Sequence, residues 1–452
     1  MEHTTQSVSH PWAAWKRHGF RFVFIALLLF IIPIDGKFYQ KLFSINWADA
    51  TFYDLLVLTK YQPQFFPPEQ PWGQYLEFVN FRNWLLVALI ALVGATIWGV
   101  SDRGRRQAYP RLYYWSRVLV RYRLALGLIA YGIYKVFQLQ LPYPPLSNLL
   151  TNYGDFYAWK IYYQTTGISP NYETFLGAVE LLAGILILYR RTVTFGAGLA
   201  LGFLGNITAV NFYYGLGEAS YSLLLTLFAA YLFVHDVPRL YQLLIEEKPA
   251  LAEQSTSALS GNTLILKRTA QFLVLVFVVG ICVKAYGGRH PAAYKLPQTR
   301  GLTGAAGRYL VTEFVVNGDT IPYSRSHPFR WQEAVFEEWS TLSIKSNRPV
   351  TIDKSNGEGY HEKDIDRNYE LAGISGRHFY HYEQDTVRQQ LRLQNKNIHH
   401  RGEQFVLDYQ RPTDSTIVLN GRLSPDDSVR VVLKRIDKKY MMYEGRRRPV
   451  KI

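Results

Sequence analysis

Long apolar runs recur between Phe20 and Tyr286, and none occurs between Arg289 and Ile452. A bilayer core about 30 Å thick is crossed by roughly 17–25 helical residues, so such runs predict membrane-spanning helices. The sequence therefore predicts a helical membrane domain over residues 1–288 and a different domain over residues 289–452. Seven segments of about this length can be marked: Phe20–Ile34, Asn83–Val100, Leu124–Leu139, Tyr172–Leu188, Thr192–Tyr213, Ser220–Val234 and Ala270–Tyr286.

Composition limits what the chain can be. An aromatic content of 15% and a charged content of 19% exclude intrinsic disorder. The single cysteine, Cys282, excludes an intramolecular disulfide and a C-x-x-C redox pair. Lys and Arg outnumber Asp and Glu by 15, which suggests nucleic acid or anionic lipid as a partner.

The position of the basic residues favours lipid over nucleic acid. Basic residues crowd the connection after the second segment, and more follow at Arg190-Arg191 and Lys267-Arg268 on the same side of the predicted membrane. The positive-inside rule then puts the amino end inside and the domain after residue 288 outside. Interleaved Tyr113, Tyr114 and Trp115 suit a lipid interface, so we expect a lipid bilayer as partner and no nucleic acid. The crowded connection holds Arg103, Arg105, Arg106, Arg111, Arg117, Arg121 and Arg123.

The first segment has an alternative interpretation as a secretory signal peptide, because basic residues precede it. No small-residue cleavage pattern follows over Ile32–Lys37, so a retained helix is favoured. The connections over 35–82 and 140–171 are long and rich in Pro and aromatic residues. We expect them to lie on the outer membrane surface as short interfacial helices that roof the bundle.

Alternating apolar and polar residues replace the long apolar runs after Tyr286. Asn317-Gly318 is a strong hairpin signal, and further turns follow at regular spacing. About eight to ten short strands predict an all-β antiparallel barrel or sandwich. The strand candidates are Tyr309–Val316, Asp319–Tyr323, Ala334–Lys345, Val350–Asp353, Gly376–Tyr382, Gln389–Leu393, Gln404–Tyr409, Ser415–Asn420, Val429–Arg435 and Tyr440–Tyr443.

Two histidine pairs raise the question of a metal site in this domain. His378 and His381 lie three residues apart on a predicted strand, so their side chains point to opposite faces. Neither that pair nor His399-His400 has a cysteine or an evident third ligand. The sequence therefore predicts no metal site.

Ionisable residues inside membrane segments cost several kcal/mol unless they are paired, so they are the natural candidates for function. Lys135 shares one helical face with Tyr131, and Glu180 lies between Gly177 and Gly184 on a face where helices can approach closely. At their predicted depths Lys135 and Glu180 can meet. The candidate intramembrane polar site comprises Tyr131, Lys135, Gln138, Glu180, Asn206, Asn211 and Glu218, roofed by Tyr153, Asp155, Trp159 and Lys160.

Two interpretations of this constellation stay open. It is either a set of hydrogen bonds and ion pairs that joins helices, or a site for a ligand or a proton. No residue is identified as catalytic.

The pattern over residues 121–240 resembles a known family. Arg121, Gly127 and Lys135 in one segment, Gly177-Ala-Val-Glu180 in the next, and the closing Asp236-x-x-Arg239-Leu240 are similar to the four-helix DoxX-like membrane module. The long form with an added outer β domain is similar to DoxX-family proteins of Bacteroidetes. The resemblance implies a protein of the bacterial inner membrane with a cytoplasmic amino end and a periplasmic β domain. It also implies a link to quinone, because the family takes its name from membrane subunits of a thiosulfate:quinone oxidoreductase.

Three functions follow as hypotheses. The first is an accessory subunit of an envelope complex, whose helical module binds quinone or lipid and whose outer β domain recruits a protein partner. In the quinone site of that accessory subunit, Lys135 would polarise a ring carbonyl and Glu180 would handle a proton. The second hypothesis is a membrane oxidoreductase subunit linked to the quinone pool. The third is a transporter of a small solute or lipid. An accessory role is favoured over an enzyme, and quinone is the candidate cofactor.

Overall fold

The chain folds into two units that do not follow each other in the sequence. The computed structural model describes residues 12–66, 76–103, 105–250, 261–288, 294–353, 361–371, 373 and 376–445. One unit, the helical unit, combines Met1–Phe137 with Thr174–Gly288. The other, the barrel unit, combines Gln138–Glu173 with Arg289–Ile452. The predicted boundary at residue 288 adjoins residues 289–293, which lie outside the described residues.

Helices dominate the first part of the described chain. Several ends follow from local chemistry: α1 stops before Pro33, and α3 starts with a capping box between Thr51 and Asp54. In chain order the α-helices are α1 (Ala14–Ile31), α2 (Gly36–Ser44), α3 (Phe52–Thr59), α4 (Leu76–Asp102), α5 (Pro110–Val136), α6 (Leu146–Leu149), α7 (Ala158–Gly167), α8 (Pro170–Leu188), α9 (Val193–Tyr214), α10 (Ala219–Val234), α11 (Val237–Leu244), α12 (Gly261–Gly287) and α13 (Met441–Glu444).

Among the described residues, five helical stretches are long and apolar enough to cross a membrane. They are Ala14–Ser44, Phe81–Asp102, Pro170–Leu188, Val193–Tyr214 and Lys267–Gly287, and α10 with α11 makes a sixth if that pair, bent by 58°, is one span. A multi-pass helical membrane domain is thus confirmed, and the described residues hold five or six candidate spans where the sequence predicts about seven. The third predicted segment lies in α5, where Arg121, Arg123 and Lys135 leave too short an uncharged stretch.

The strands form a closed antiparallel barrel. Each of eight strands pairs with its neighbours, and β9 returns to pair with β1, for example Val316 with Val429. The additional strand, β2, forms a hairpin with β1 through Asn317 and Gly318, which both have positive φ. In the described chain the strands are β1 (Gly307–Val316), β2 (Asp319–Thr320), β3 (Glu333–Phe336), β4 (Thr341–Lys345), β5 (Arg377–Asp385), β6 (Gln390–Asn395), β7 (Gln404–Thr413), β8 (Thr416–Ser424) and β9 (Asp427–Ile436).

The prediction of an antiparallel barrel or sandwich is therefore confirmed as a barrel, with three differences in detail. Ala334–Lys345 is not one strand but β3 and β4 with a turn between them. Val350–Asp353 is irregular, and Tyr440–Tyr443 leads into α13. The pairing of β9 with β1 already closes the barrel, so neither segment has a free sheet edge to join.

Side chains fill the interior of the barrel. Alternate residues of each strand point inward, as in β7, where Phe405, Leu407 and Tyr409 are buried between exposed neighbours. Aromatic rings from other strands join them, including Tyr309, which packs edge-on against Phe336 with ring centroids 5.7 Å apart. The barrel is consequently a packed core.

Residues 138–173 belong to the barrel unit, although the sequence places them as a connection within the helical domain. The Glu337 carboxylate accepts hydrogen bonds from the backbone N–H groups of Leu146 at 3.0 Å and Ser147 at 2.8 Å. The Asn148 amide donates to the Glu370 carbonyl at 2.6 Å. These buried bonds to distant residues, rather than local sequence, attach the segment to the barrel.

Candidate functional site

The helical unit holds an ion pair between Lys135 in the last turn of α5 and Glu180 on α8. Glycine brings the two helices into backbone contact: a Cβ at Gly177 would lie 2.6 Å from the Gly132 carbonyl oxygen. Gly184 approaches α5 on the same face of α8, about two turns further along, where a Cβ would lie 2.8 Å from an Ile129 side-chain carbon. The structure thus brings Lys135 and Glu180 together at a close helix crossing.

Glu180 is more than a partner for Lys135. Its side chain is 5% exposed, against 12% for Lys135. Lys135 donates to Oε1, whereas Oε2 is buried and makes no hydrogen bond with any described residue. A buried acceptor without a donor is costly, so this oxygen is suited to a donor group from a ligand or to a proton.

A second ion pair adjoins the first through one aromatic ring. Lys60 pairs with Glu218, the residue before α10, and its ammonium lies 5.6 Å from the centre of the Tyr131 ring. The Lys135 ammonium lies 5.8 Å from the same ring centre. The Tyr131 hydroxyl lies 3.5 Å from Glu218 Oε2, at the limit of a hydrogen bond. Tyr131 therefore lies within cation–π range of both lysines.

Sequence reasoning missed Lys60, because the connection over 35–82 was expected on the membrane surface. Instead α3 is buried in the helical unit, where Phe52 is fully buried and stacks on Tyr134 with ring centroids 5.4 Å apart. A signal was available: α3 is a capped apolar helix that ends directly before a lysine. In contrast, α2 is amphipathic and none of its residues is buried, as expected of an interfacial helix.

Two further predicted site residues, Asn206 and Asn211, lie on α9 and make no hydrogen bond with the four side chains of the two ion pairs or with Tyr131 among the described residues. Asn211 donates to the Ser222 hydroxyl at 3.2 Å and so connects α9 to α10, whereas Asn206 is exposed on α9. Gln138 belongs to the barrel unit, where its φ of 57° marks the turn after α5. The predicted roof residues also belong to the barrel unit: Tyr153, Asp155, Trp159 and Lys160. The cluster within the helical unit is therefore Lys60, Tyr131, Lys135, Glu180 and Glu218.

Lys160 is part of a buried polar network in the barrel unit. Its ammonium donates to the Tyr369 carbonyl and lies 3.1 Å from the centre of the Tyr369 ring. Beside it, the fully buried Lys396 and Glu370 form an ion pair at 2.5 Å, and Trp339 donates to the other Glu370 oxygen. Burial lowers the pKa of Lys396, against the opposing effect of Glu370.

Glu337 lies in the same unit and accepts the hydrogen bonds that attach residues 138–173 to the barrel. Burial, reinforced by the negative charge of Glu370, raises the pKa of Glu337 to about 7, although its bonds to Leu146 and Ser147 oppose this shift. The network therefore acts in the first place as the attachment between the segment and the barrel.

The histidines take structural positions. His378 is buried beside Arg348, and its pKa falls to about 4 because of burial and that positive charge. His381 lies 3.1 Å from the Ser340 carbonyl oxygen and hydroxyl. Over the part of the chain that the structure describes, no group of three or more His, Cys, Asp or Glu side chains is arranged to hold a metal ion.

Comparison of the chain with protein-family models, with curated proteins and with solved structures found no match in any of the three. The fold and the geometry of the site therefore carry the functional argument.

Proposed function

We propose that this multi-pass membrane protein is an accessory subunit of a bacterial envelope complex. In this proposal the helical unit binds the headgroup of a quinone or other lipid, and the barrel unit recruits a protein partner. The basic connections indicate an inner-membrane orientation with a cytoplasmic amino end and a periplasmic barrel. The DoxX-like pattern over residues 121–240 agrees with this assignment, and makes a quinone-linked oxidoreductase the setting we favour.

The observation that carries the ligand proposal is the second oxygen of Glu180. It is buried in the helical unit and makes no hydrogen bond with any described residue, while Lys135 occupies the first oxygen. Together the two side chains offer one acceptor and one donor, which fits a headgroup with one hydroxyl and one carbonyl. Tyr131 adds an aromatic face beside them.

The chemistry of these residues suits a quinone. A bound quinone would supply a couple of two electrons and two protons. Lys135 would orient a ring carbonyl by donating from its ammonium, and Glu180 Oε2 would accept a proton or a hydroxyl hydrogen bond. The Lys60–Glu218 pair would keep a second carboxylate within reach of the Tyr131 hydroxyl. These residues thereby hold the headgroup and move a proton, while a partner subunit supplies electrons.

The quinone proposal is tested on purified full-length protein by extracting bound lipid and measuring quinone-dependent electron flux in membranes. We expect wild-type protein to retain quinone, and Glu180→Gln to lose most of it because the amide nitrogen cannot accept a hydrogen bond. Glu246→Gln, a change at an exposed carboxylate after α11, is the matched control. Extracts without quinone, together with unchanged flux in the Glu180 variant, would reject this ligand.

The partner proposal needs a different experiment. Deletion of residues 289–452 would remove the backbone carbonyl groups to which Lys160 and Asn148 donate hydrogen bonds, so it would disturb the rest of the chain. A photo-crosslinking residue at Val387, which is 92% exposed in the turn between β5 and β6, leaves the barrel intact. We expect a stoichiometric crosslinked partner from membranes. Recovery of the protein alone, both by crosslinking and by pull-down in mild detergent, would refute the accessory role.

A further inference from the structure

Three elements of the helical unit meet at a basic corner far along α5 from Lys135. Arg117 on α5 lies 4.0 Å from the Asp236 carboxylate, which directly precedes α11. The same Asp236 oxygen accepts a hydrogen bond from Thr194, in the first turn of α9, at 2.6 Å. Tyr113 lies 3.1 Å from His235 Nδ1 and holds the end of α10 beside α5. We call this place the basic corner.

Positive charge exceeds negative charge in the basic corner. Arg121 lies one helical turn from Arg117, about 6 Å along the axis, and the two guanidiniums repel each other. The Asp236 carboxylate approaches Arg117, and the same oxygen already accepts a hydrogen bond from Thr194. Arg121 makes no ion pair with any described residue. The corner therefore holds two guanidiniums and one carboxylate, which pairs with Arg117 and also accepts the Thr194 hydrogen bond.

Donor atoms in the corner are also unsatisfied. The Nε atoms of both Arg117 and Arg121 are buried, and neither makes a hydrogen bond with a described residue. A guanidinium offers a fork of donors that matches a phosphate group. Buried donors without acceptors are costly, and the cost is greater in a chain that crosses a membrane. The corner thus has the charge and the donors for an oxyanion.

The helix that follows the corner points to the source of that oxyanion. After α10 the chain bends by 58° into α11, an amphipathic helix with no buried residue. Val237, Tyr241 and Leu244 share one exposed apolar face. An amphipathic helix of this kind lies in the interface between headgroups and acyl chains. An interfacial α11 would put the basic corner at the depth of lipid phosphates.

We propose that the basic corner binds the phosphate of an anionic phospholipid, with Arg117 and Arg121 donating to its oxygens. The face of α11 packs against the upper acyl chains of the same lipid layer. A phospholipid brings both the oxyanion and the apolar chains that the corner and α11 require, whereas a free phosphate ion brings only the first. This site is separate from the Lys135–Glu180 pair and does not depend on the proposed quinone.

The test uses delipidated full-length protein in detergent, titrated with phosphatidylglycerol, with phosphatidylcholine of the same chains, or with inorganic phosphate. Native mass spectrometry counts bound lipid, and thermal unfolding reports stabilisation. We expect wild-type protein to bind phosphatidylglycerol at least tenfold more tightly than phosphatidylcholine. We expect Arg121→Gln to weaken this binding about tenfold, because the variant loses charge-assisted hydrogen bonds to the phosphate.

Arg111→Gln is the matched control, because Arg111 is exposed in the first turn of the same helix. Arg121→Lys keeps the positive charge but lacks the forked donors of the guanidinium, and it serves as a second variant in case Arg121→Gln fails to fold. It should lose part of the preference for phosphatidylglycerol over phosphatidylcholine. Equal binding of the two lipids by wild-type protein would overturn the proposal, as would equal losses in the Arg121 and Arg111 variants. Stabilisation by inorganic phosphate equal to that by phosphatidylglycerol would replace a lipid site with a free-anion site.

Discussion

Removal of one partner from the Lys135–Glu180 pair should cost far more than removal of both. Lys135→Met would leave a carboxylate that is 5% exposed without its counter-ion. Loss of one member of a buried pair costs about 3–5 kcal/mol, because the remaining charge is left buried and unpaired. Glu180→Gln should cost less, since the longer lysine side chain can carry its ammonium toward water.

The double variant restores neutrality, so its cost should be about 1–2 kcal/mol, with a coupling energy of about 3 kcal/mol between the two sites. The Lys60–Glu218 pair is the internal control, because its side chains are 23% and 25% exposed. That pair is less buried than Lys135 and Glu180, so its coupling energy should be smaller than about 3 kcal/mol.

The assay is reversible unfolding of full-length protein in detergent micelles, with all four members of each cycle measured at one pH. Additive single changes at Lys135 and Glu180, within about 0.5 kcal/mol, would refute the argument from burial. The double variant also separates the two interpretations of the pair. If the double variant shows only this small loss of stability but loses bound quinone, the pair is a ligand site. Unchanged quinone content would leave the pair as a connection between helices.

Two further predictions follow from burial and close packing. The pKa of Glu337 is raised from 4.5 to about 7, so its contribution to stability is present in full well below pH 4.5 and is lost as pH rises through 7. Wild-type barrel stability, followed by hydrogen exchange, should therefore fall by about 2.5 kcal/mol between pH 5 and pH 8. Glu337→Gln should remove this part of the slope, and an equal slope in both proteins would contradict the prediction. Gly177→Ala places a Cβ 2.6 Å from the Gly132 carbonyl oxygen and should lower the free energy of unfolding by about 1–3 kcal/mol, measured by thermal unfolding. Gly202→Ala on α9 is the control: its Cβ would meet nothing within 4 Å, so the change should be neutral or stabilising. Equal effects of the two changes would contradict the close crossing of α5 and α8.

Most of the fold could be predicted from local sequence patterns. Apolar runs located four of the five candidate spans in the described chain to within a few residues, because a bilayer imposes a similar length on each of them. The first span, Ala14–Ser44, extends beyond the predicted Phe20–Ile34 at both ends. The Asn317-Gly318 turn located a hairpin, because few residues adopt positive φ at two successive positions. Tyr440–Tyr443 was wrong as a strand, since strand propensity does not reveal that β9 and β1 have already closed the ring.

The candidate site was harder to predict, because its contacts are distant in sequence. Lys135 and Glu180 could be related through glycines on neighbouring helices. Lys60 and Glu218 are 158 residues apart in the sequence, and no local pattern predicts that they pair. Lys160 was assigned to the roof of the site, yet its carbonyl partner, Tyr369, is 209 residues away in the barrel unit. Such pairings depend on the whole topology.

The division of the barrel unit between two stretches of chain affects its biosynthesis. At roughly 5–20 residues per second, a ribosome that has completed Lys160 needs about 10–40 s to reach Tyr369. During that interval residues 138–173 wait without the strands on which they fold, while helices on both sides of them enter the membrane. A factor that shields this segment, or slow insertion of the helices after α7, would decide how much of the newly made protein matures.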